Sequence, residues 1–196
     1  QIPNPDFVPD DAITDEVSSG ILSAAIASKC GFALTTVSQA TKGILDACND
    51  SLLLEKGKTI LLTGGDYAQR LSGFLSASAT PVQLISEEAA TKYSYVTRAG
   101  AKLVTIPAAD INDFHDYFVL SIVREPSRGA NILHVWGAGW YGTPAGVYYL
   151  TSKGLAELKD GTRAWKQYVV IEYSDVNKNG VRDDADSYTV IASDVP

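Results

Sequence analysis

The chain predicts an α/β domain: a partly parallel sheet flanked by helices and closed by a carboxy-terminal β-hairpin. Three observations predict it. Short β-branched runs such as Thr59–Thr63 and Asn131–Trp136 alternate with stretches of helical period, the pattern of strand–helix–strand units. Glycine-rich breaks follow two of those strands, at Gly64-Gly65-Asp66 and at Gly137-Ala-Gly-Trp-Tyr-Gly142. Two strand-like runs, Tyr168–Tyr173 and Ser187–Ser193, bracket one polar loop near the end of the chain.

The elements follow in order. Residues 1–11 are rich in proline and acid, with Ile2, Phe7 and Val8 as the sizeable apolar groups. They read as an extended arm, docked on the chain's own domain or on a neighbour, ahead of one domain over 12–196. Thr14 can cap a helix reaching Lys29, with Val17, Ile21, Leu22 and Ala25 as its apolar stripe and Gly31 as its stop. A second helix is expected from Val37 to Asn49, with Ile44 and Leu45 inward. After the Thr59–Thr63 strand, a helix runs through Leu71 and Leu75, and strands follow at Pro81–Ile85 and Lys102–Ile106. Pro107 opens a turn, and Phe114, Phe118 and Ile122 suggest a helix over 111–123. Asn131–Trp136 is a buried strand, and Thr143 with Pro144 starts a helix in the way proline permits. A hairpin over 168–193 ends the chain.

Within that hairpin, Asp175 to Asp186 reads D-V-N-K-N-G-V-R-D-D-A-D. Oxygen-bearing side chains fall at loop positions 1, 3, 5, 9 and 12, with glycine at 6, which is the donor pattern of a calcium loop. Asp175, Asn177, Asn179, Asp183 and Asp186 are the expected side-chain ligands, and Val181 the expected carbonyl ligand. Aspartate at position 12 has a shorter arm than the usual glutamate. An acidic hairpin turn without an ion is the alternative. The β-rich flanks exclude an EF-hand, whose loop joins two helices, so the ion would staple a hairpin rather than swing a helix pair. The segment resembles the calcium loops of dockerin-like and thrombospondin-type repeats.

Composition narrows the function classes. The 196 residues carry 16 Lys+Arg against 23 Asp+Glu, a net charge of −7, and no basic run. Nucleic acid therefore has no electrostatic footprint to match. No apolar run approaches the roughly 18 residues a transmembrane helix needs. The chain lacks methionine and starts Gln1-Ile-Pro-Asn-Pro, as a secreted protein does after signal removal, although trimming at another boundary looks the same. Cys30 and Cys48 are the two cysteines. In an oxidising compartment they pair as a disulfide worth about 3 kcal/mol; otherwise they are two small buried apolar groups. Asn49-Asp50-Ser51 is a glycosylation sequon.

Catalytic signals are weak, and no catalytic residue is expected. Gly137–Gly142 spells G-x-G-x-x-G between a strand and a helix, the context of a dinucleotide loop. Trp140 and Tyr141 crowd it and no second nucleotide-binding half follows, so close helix-on-strand packing is the better reading. His134 reads as a core residue and His115, between Asp113 and Asp116, as a helix-surface one. Neither G-x-S-x-G nor H-E-x-x-H occurs.

Ile60-Leu-Leu-Thr-Gly-Gly65, Asp116-Tyr117 on a helix, Ile132-Leu-His-Val-Trp-Gly137 and Tyr141-Gly-Thr-Pro-Ala-Gly146 together resemble an α/β domain of archaeal S-layer and S-layer-like proteins. There one strand ends in V-G-G-P, and a later one enters an alanine-rich helix through a Y-G-T-R-A-A-like turn. Here Asp66 replaces the proline and Pro144 the arginine. The likeness spans about residues 55–155. It implies a secreted, non-catalytic, calcium-using protein that assembles with copies of itself into a surface layer, tube or filament.

The expected function is thus an extracellular structural subunit, linked through its arm by strand addition at a neighbour's sheet edge. Trp140, Tyr141, Tyr148 and Tyr149 are candidate contact residues, and Asp6, Asp10, Asp11, Glu87 and Glu88 candidate intersubunit ion ligands. The alternative is a module for extracellular or cell-wall polysaccharide, with Trp136, Trp140 and Trp165 stacking on sugar faces. An exported hydrolase using two carboxylates comes third.

Overall fold

The computed structural model describes residues 9–30, 59–65, 70–162 and 166–195. Its elements run α1 (Pro9–Cys30), β1 (Thr59–Thr63), α2 (Arg70–Ser78), β2 (Val82–Glu87), β3 (Lys92–Thr97), β4 (Lys102–Pro107), β5 (His115–Glu125) and β6 (Ala130–Gly137). They continue with α3 (Gly142–Tyr149), a wide helical turn at Leu150–Gly154, α4 (Leu155–Asp160), β7 (Tyr168–Ser174) and β8 (Ser187–Ser193). The helix expected at 37–49, Cys48, the Asn49 sequon, Asp66 and Trp165 lie outside the described residues, and so does the cysteine pairing.

A five-stranded mixed sheet in the order β1-β6-β5-β7-β8 forms the centre, and β2-β3-β4 form a separate antiparallel sheet. Among the described strands, β1 and β6 pair in parallel and the other pairings are antiparallel. The described chain is therefore mostly β. Helices α1 and α3 cover one face of the central sheet. The other, where only flanking helices were expected, is shared by the three-stranded sheet and by α2, whose Leu71 and Leu75 pack on Leu62, Val123 and Ile132.

Alternation along the strands explains the layers. Phe118, Leu120, Val135, Val169, Ile171 and Tyr173 turn one way and bury against Leu22 and Ile26 of α1 and Ala145 and Val147 of α3. Tyr117, Val119, Trp136, Tyr168 and Val170 turn the other way onto Val82, Tyr95 and Ile106 of the second sheet. The Tyr95 and Trp136 rings meet edge to face at 5.3 Å. Each such side chain, taken fully out of water, contributes about 1.5–3 kcal/mol.

Residues 111–123, expected as a helix, are instead the lead-in and body of β5. The strand lies between β6 and β7, so it is buried on both faces and reads as a continuous apolar run rather than an alternating one. Spacing at 114, 118 and 122 imitates a helical stripe, while Phe118 and Ile122 face the helical layer from a strand. Asp116-Tyr117 thus sits on a strand, not on a helix.

Helix α1 starts at Pro9, within the stretch expected to be extended, which leaves residues 1–8 ahead of it. Its inward face is Ser18, Leu22 and Ile26, with Ala25 at the margin. Val17 and Ile21, expected inside, are 56% and 53% exposed.

Candidate calcium loop

The twelve residues 175–186 join β7 to β8 directly, since Ser174 pairs with Ser187. Besides the β5–β7 ladder, contacts at both ends of the loop fix this hairpin to the domain. The Asp175 amide donates to the Phe114 carbonyl at 2.8 Å, tying the loop base to the start of β5. The Tyr188 ring lies 5.4 Å from Tyr173 and 5.6 Å from Tyr149, tying β8 to the helical layer.

Inside the loop, backbone amides orient the side-chain oxygens. Asp175, only 3% exposed, accepts the Asn179 N–H at Oδ1 (3.2 Å) and the Gly180 N–H at Oδ2 (2.7 Å). Asn177 Oδ1 also accepts the Asn179 N–H at 3.0 Å, and Asn179 Oδ1 accepts the Val181 N–H at 2.7 Å. The Asn179 amide group donates to Asp183 Oδ2 at 3.2 Å, and Asp183 Oδ1 accepts the Ala185 N–H at 2.8 Å. Asp186, 8% exposed, takes the Asp183 N–H at 3.0 Å and the Tyr173 hydroxyl at 3.3 Å, both on Oδ2. The chain winds this tightly because Lys178 (φ 55°) and Gly180 (φ 72°) both adopt left-handed backbone, which glycine does without strain.

Asp175, Asn179, Asp183 and Asp186 are thereby linked in one network. Among the described residues no three His, Cys, Asp or Glu converge at metal-holding distance; the donor set expected here also draws on two amides and a carbonyl. One atom fits a cation directly. Asp186 Oδ1 is buried with no hydrogen-bond partner, and a desolvated carboxylate oxygen without a donor costs about 1–3 kcal/mol or more. A hard, oxygen-seeking ion would satisfy it, so the residues present fit calcium. The Asp183 carboxyl is held below the usual carboxylate range, chiefly by the Ala185 N–H, and stays ionised, as a ligand must.

Sequence reasoning missed Asp116. It is fully buried at the mouth of the G-x-G-x-x-G turn, accepting N–H groups from Tyr117 (2.7 Å) and Gly139 (3.0 Å) on Oδ1 and from Gly142 (2.6 Å) on Oδ2. Its carboxylate occupies the amide cradle that a dinucleotide phosphate would need. It also caps α3, the role expected of Thr143, whose hydroxyl instead accepts the Gly137 N–H at 3.1 Å. The glycines serve close packing: a Cβ on Gly142 would stand 2.5 Å from the Tyr117 carbonyl, and one on Gly146 2.7 Å from Val135.

Burial raises the Asp116 carboxyl to about 6, against the three N–H contacts that lower it. A raised folded-state value means its contribution to stability is full below about pH 4 and is lost as pH rises through 6. We expect the wild-type chain to lose about 2–3 kcal/mol from this group between pH 4 and 7. Melting curves across that range check it, with Asp116→Asn removing this component.

The histidines differ from one another. His115 opens β5, where a helix surface was expected, and its Nε2 lies 2.9 Å from Glu172 Oε1. His134 is fully buried, and desolvation lowers it to about 4. Its Nε2 contacts the Gly64 carbonyl at 2.9 Å and Ser72 Oγ at 3.2 Å. That serine donates to the same carbonyl, and among the described residues His134 Nδ1 has no partner. Glu87 and Glu88 form surface ion pairs with Lys102 and Lys92. Trp136 is buried in the core and Trp140 is 45% exposed, edge-on to Tyr141 at 79°; these two indoles form no flat sugar-stacking platform.

No protein-family model, curated protein or solved structure matches the chain. No described helix is long and apolar enough to cross a membrane.

Proposed function

We propose that this chain is a non-enzymatic structural subunit of a secreted, calcium-binding assembly of the surface-layer, tube or filament kind. The observation that carries the reading is the β7–β8 loop, with two buried aspartates at its ends and an unpartnered Asp186 Oδ1. Calcium there would be held by Asp175, Asn177, Asn179, Asp183 and Asp186 with the Val181 carbonyl. The ion supplies charge neutralisation at the acidic loop; the chain supplies the oxygens and the turn. Bound at a hairpin, it rigidifies β7–β8 rather than moving helices.

Self-association is supported by what the same end exposes. Phe114, Trp140, Val176 and Val181 are all exposed there, large apolar groups gathered around one end of the domain, as at protein contacts. Edge strand β8 adds Val190, 55% exposed, and Ile191, and an open apolar edge invites pairing with another chain. The buried Trp136 takes the main support from the polysaccharide-binding reading.

Sedimentation tests the proposal. With millimolar calcium, purified protein is expected to pellet as large assemblies that disperse in excess chelator. A monomer in both conditions overturns the subunit reading.

A further inference from the structure

We propose that a cleft at the end of the domain opposite the calcium loop receives residues 1–8 of a second copy of this chain, joining subunits head to tail; the proposal rests on the subunit reading above. The cleft holds about 400 Å³ and is lined by Pro81, Arg98, Ile122, Arg124, Gln167 and Tyr168 among others. It lies where β5 ends and β7 begins, whereas the loop lies where β5 begins and β7 ends.

Its chemistry is apolar with two cations. Pro81, Ile122 and Tyr168 give the wall. Arg98 donates to the Ala77 carbonyl at 2.8 Å, held in place at the end of α2. Arg124 is exposed and takes part in none of the ion pairs among the described residues. Among the described residues, the nearby acids engage backbone amides instead. Asp194 accepts the amides of Lys166 and Gln167, and Glu125 those of Ser127 and Arg128.

The amino-terminal segment matches in charge and in reach. Residues 1–8 carry one acid, Asp6, with no lysine or arginine, and Ile2, Phe7 and Val8 as apolar groups. Ser19 of α1 bonds Thr63 at the loop end of β1, and Lys29 bonds the Thr151 carbonyl toward the opposite end. The start of α1, ten residues before Ser19, is therefore directed past the loop end by about 15 Å of helix. The start of α1 thus lies at the end away from this domain's own cleft, and a segment continuing from it would reach the cleft of the next copy rather than its own. Two different patches meeting across copies make a heterologous contact, which propagates into a ring or a filament. Phe7 and Val8 fill the apolar wall, and Asp6 meets Arg124.

The test is charge exchange in the full chain, read by sedimentation with calcium. Arg124→Glu and Asp6→Arg are each expected to raise the concentration needed for assembly about tenfold, the order expected for a partly desolvated charge pair. Combining the two substitutions restores assembly. A photo-crosslinker replacing Phe7 is expected to join residues 79–81, 97–99 or 122–124 of another copy. Wild-type assembly with Arg124→Glu unaffected, or crosslinks to the β8 edge or to the same chain, overturns the cleft and leaves the subunit reading standing. A wild-type chain that never assembles overturns both. Unchanged far-ultraviolet dichroism of Arg124→Glu, expected from its exposure, separates loss of contact from loss of fold.

Discussion

Asp116→Ala is expected to destabilise the folded chain by about 4 kcal/mol. The substitution strips acceptors from the N–H groups of Tyr117, Gly139 and Gly142 at once, and each buried donor left unpaired costs about 1–3 kcal/mol. It also removes a negative charge from the amino end of α3, worth up to about 1 kcal/mol more. Beside Asp116, the groups around the cradle are backbone of 137, 139 and 142, the apolar Ile111 side chain, and the Thr143 hydroxyl, which already accepts the Gly137 N–H. Asp116→Asn keeps one acceptor oxygen and turns an N–H toward one of the three donors, so about half the loss is expected. Denaturant unfolding of the three proteins measures this. An alanine variant within 1 kcal/mol of wild type would mean the cradle finds water instead.

Asp175→Ala is expected to abolish the calcium response of stability. When calcium stands about 100-fold above its dissociation constant, binding to the folded chain adds about 2.7 kcal/mol, a rise of about 5–10 °C in melting temperature for a chain of this length. Asp175 accepts both amides that shape the loop turn, so its loss removes a ligand and the scaffold that aims Asn177 and Asn179. The variant is expected to melt at one temperature with calcium or with chelator. A calcium-induced rise equal to that of wild type would place the ion elsewhere.

Local chemistry made part of this structure legible. β1, β6 and the terminal hairpin follow from short β-branched runs bounded by glycine or acid, and the loop's ligand order is visible in Asp175–Asp186 itself. Burial misled where it was two-sided. β5 is covered by the helical layer through Phe118 and Leu120 and by the second sheet through Tyr117 and Val119, so its apolar residues lost the two-residue period that marks a strand. β3 was missed because Lys92 and Ser94 interrupt the apolar residues of its Lys92–Thr97 run. In α1 the inner face includes buried Ser18 while Val17 and Ile21 face solvent, the reverse of what hydropathy suggests. Asp116 was hidden for a different reason. Two of its partners lie 23 and 26 residues on, and nothing local distinguishes an acid that caps a distant helix from a surface one. The signal was the G-x-G-x-x-G turn itself, whose converging amides need an anion.

Calorimetric titration of calcium into the metal-free wild-type chain, run beside Asp175→Ala and Asp186→Asn, tests the central claim most directly. Saturable binding to the wild type that is absent from Asp175→Ala and weakened in Asp186→Asn is the predicted result. Identical isotherms for all three proteins, or no heat of binding in any, would contradict calcium at the β7–β8 loop.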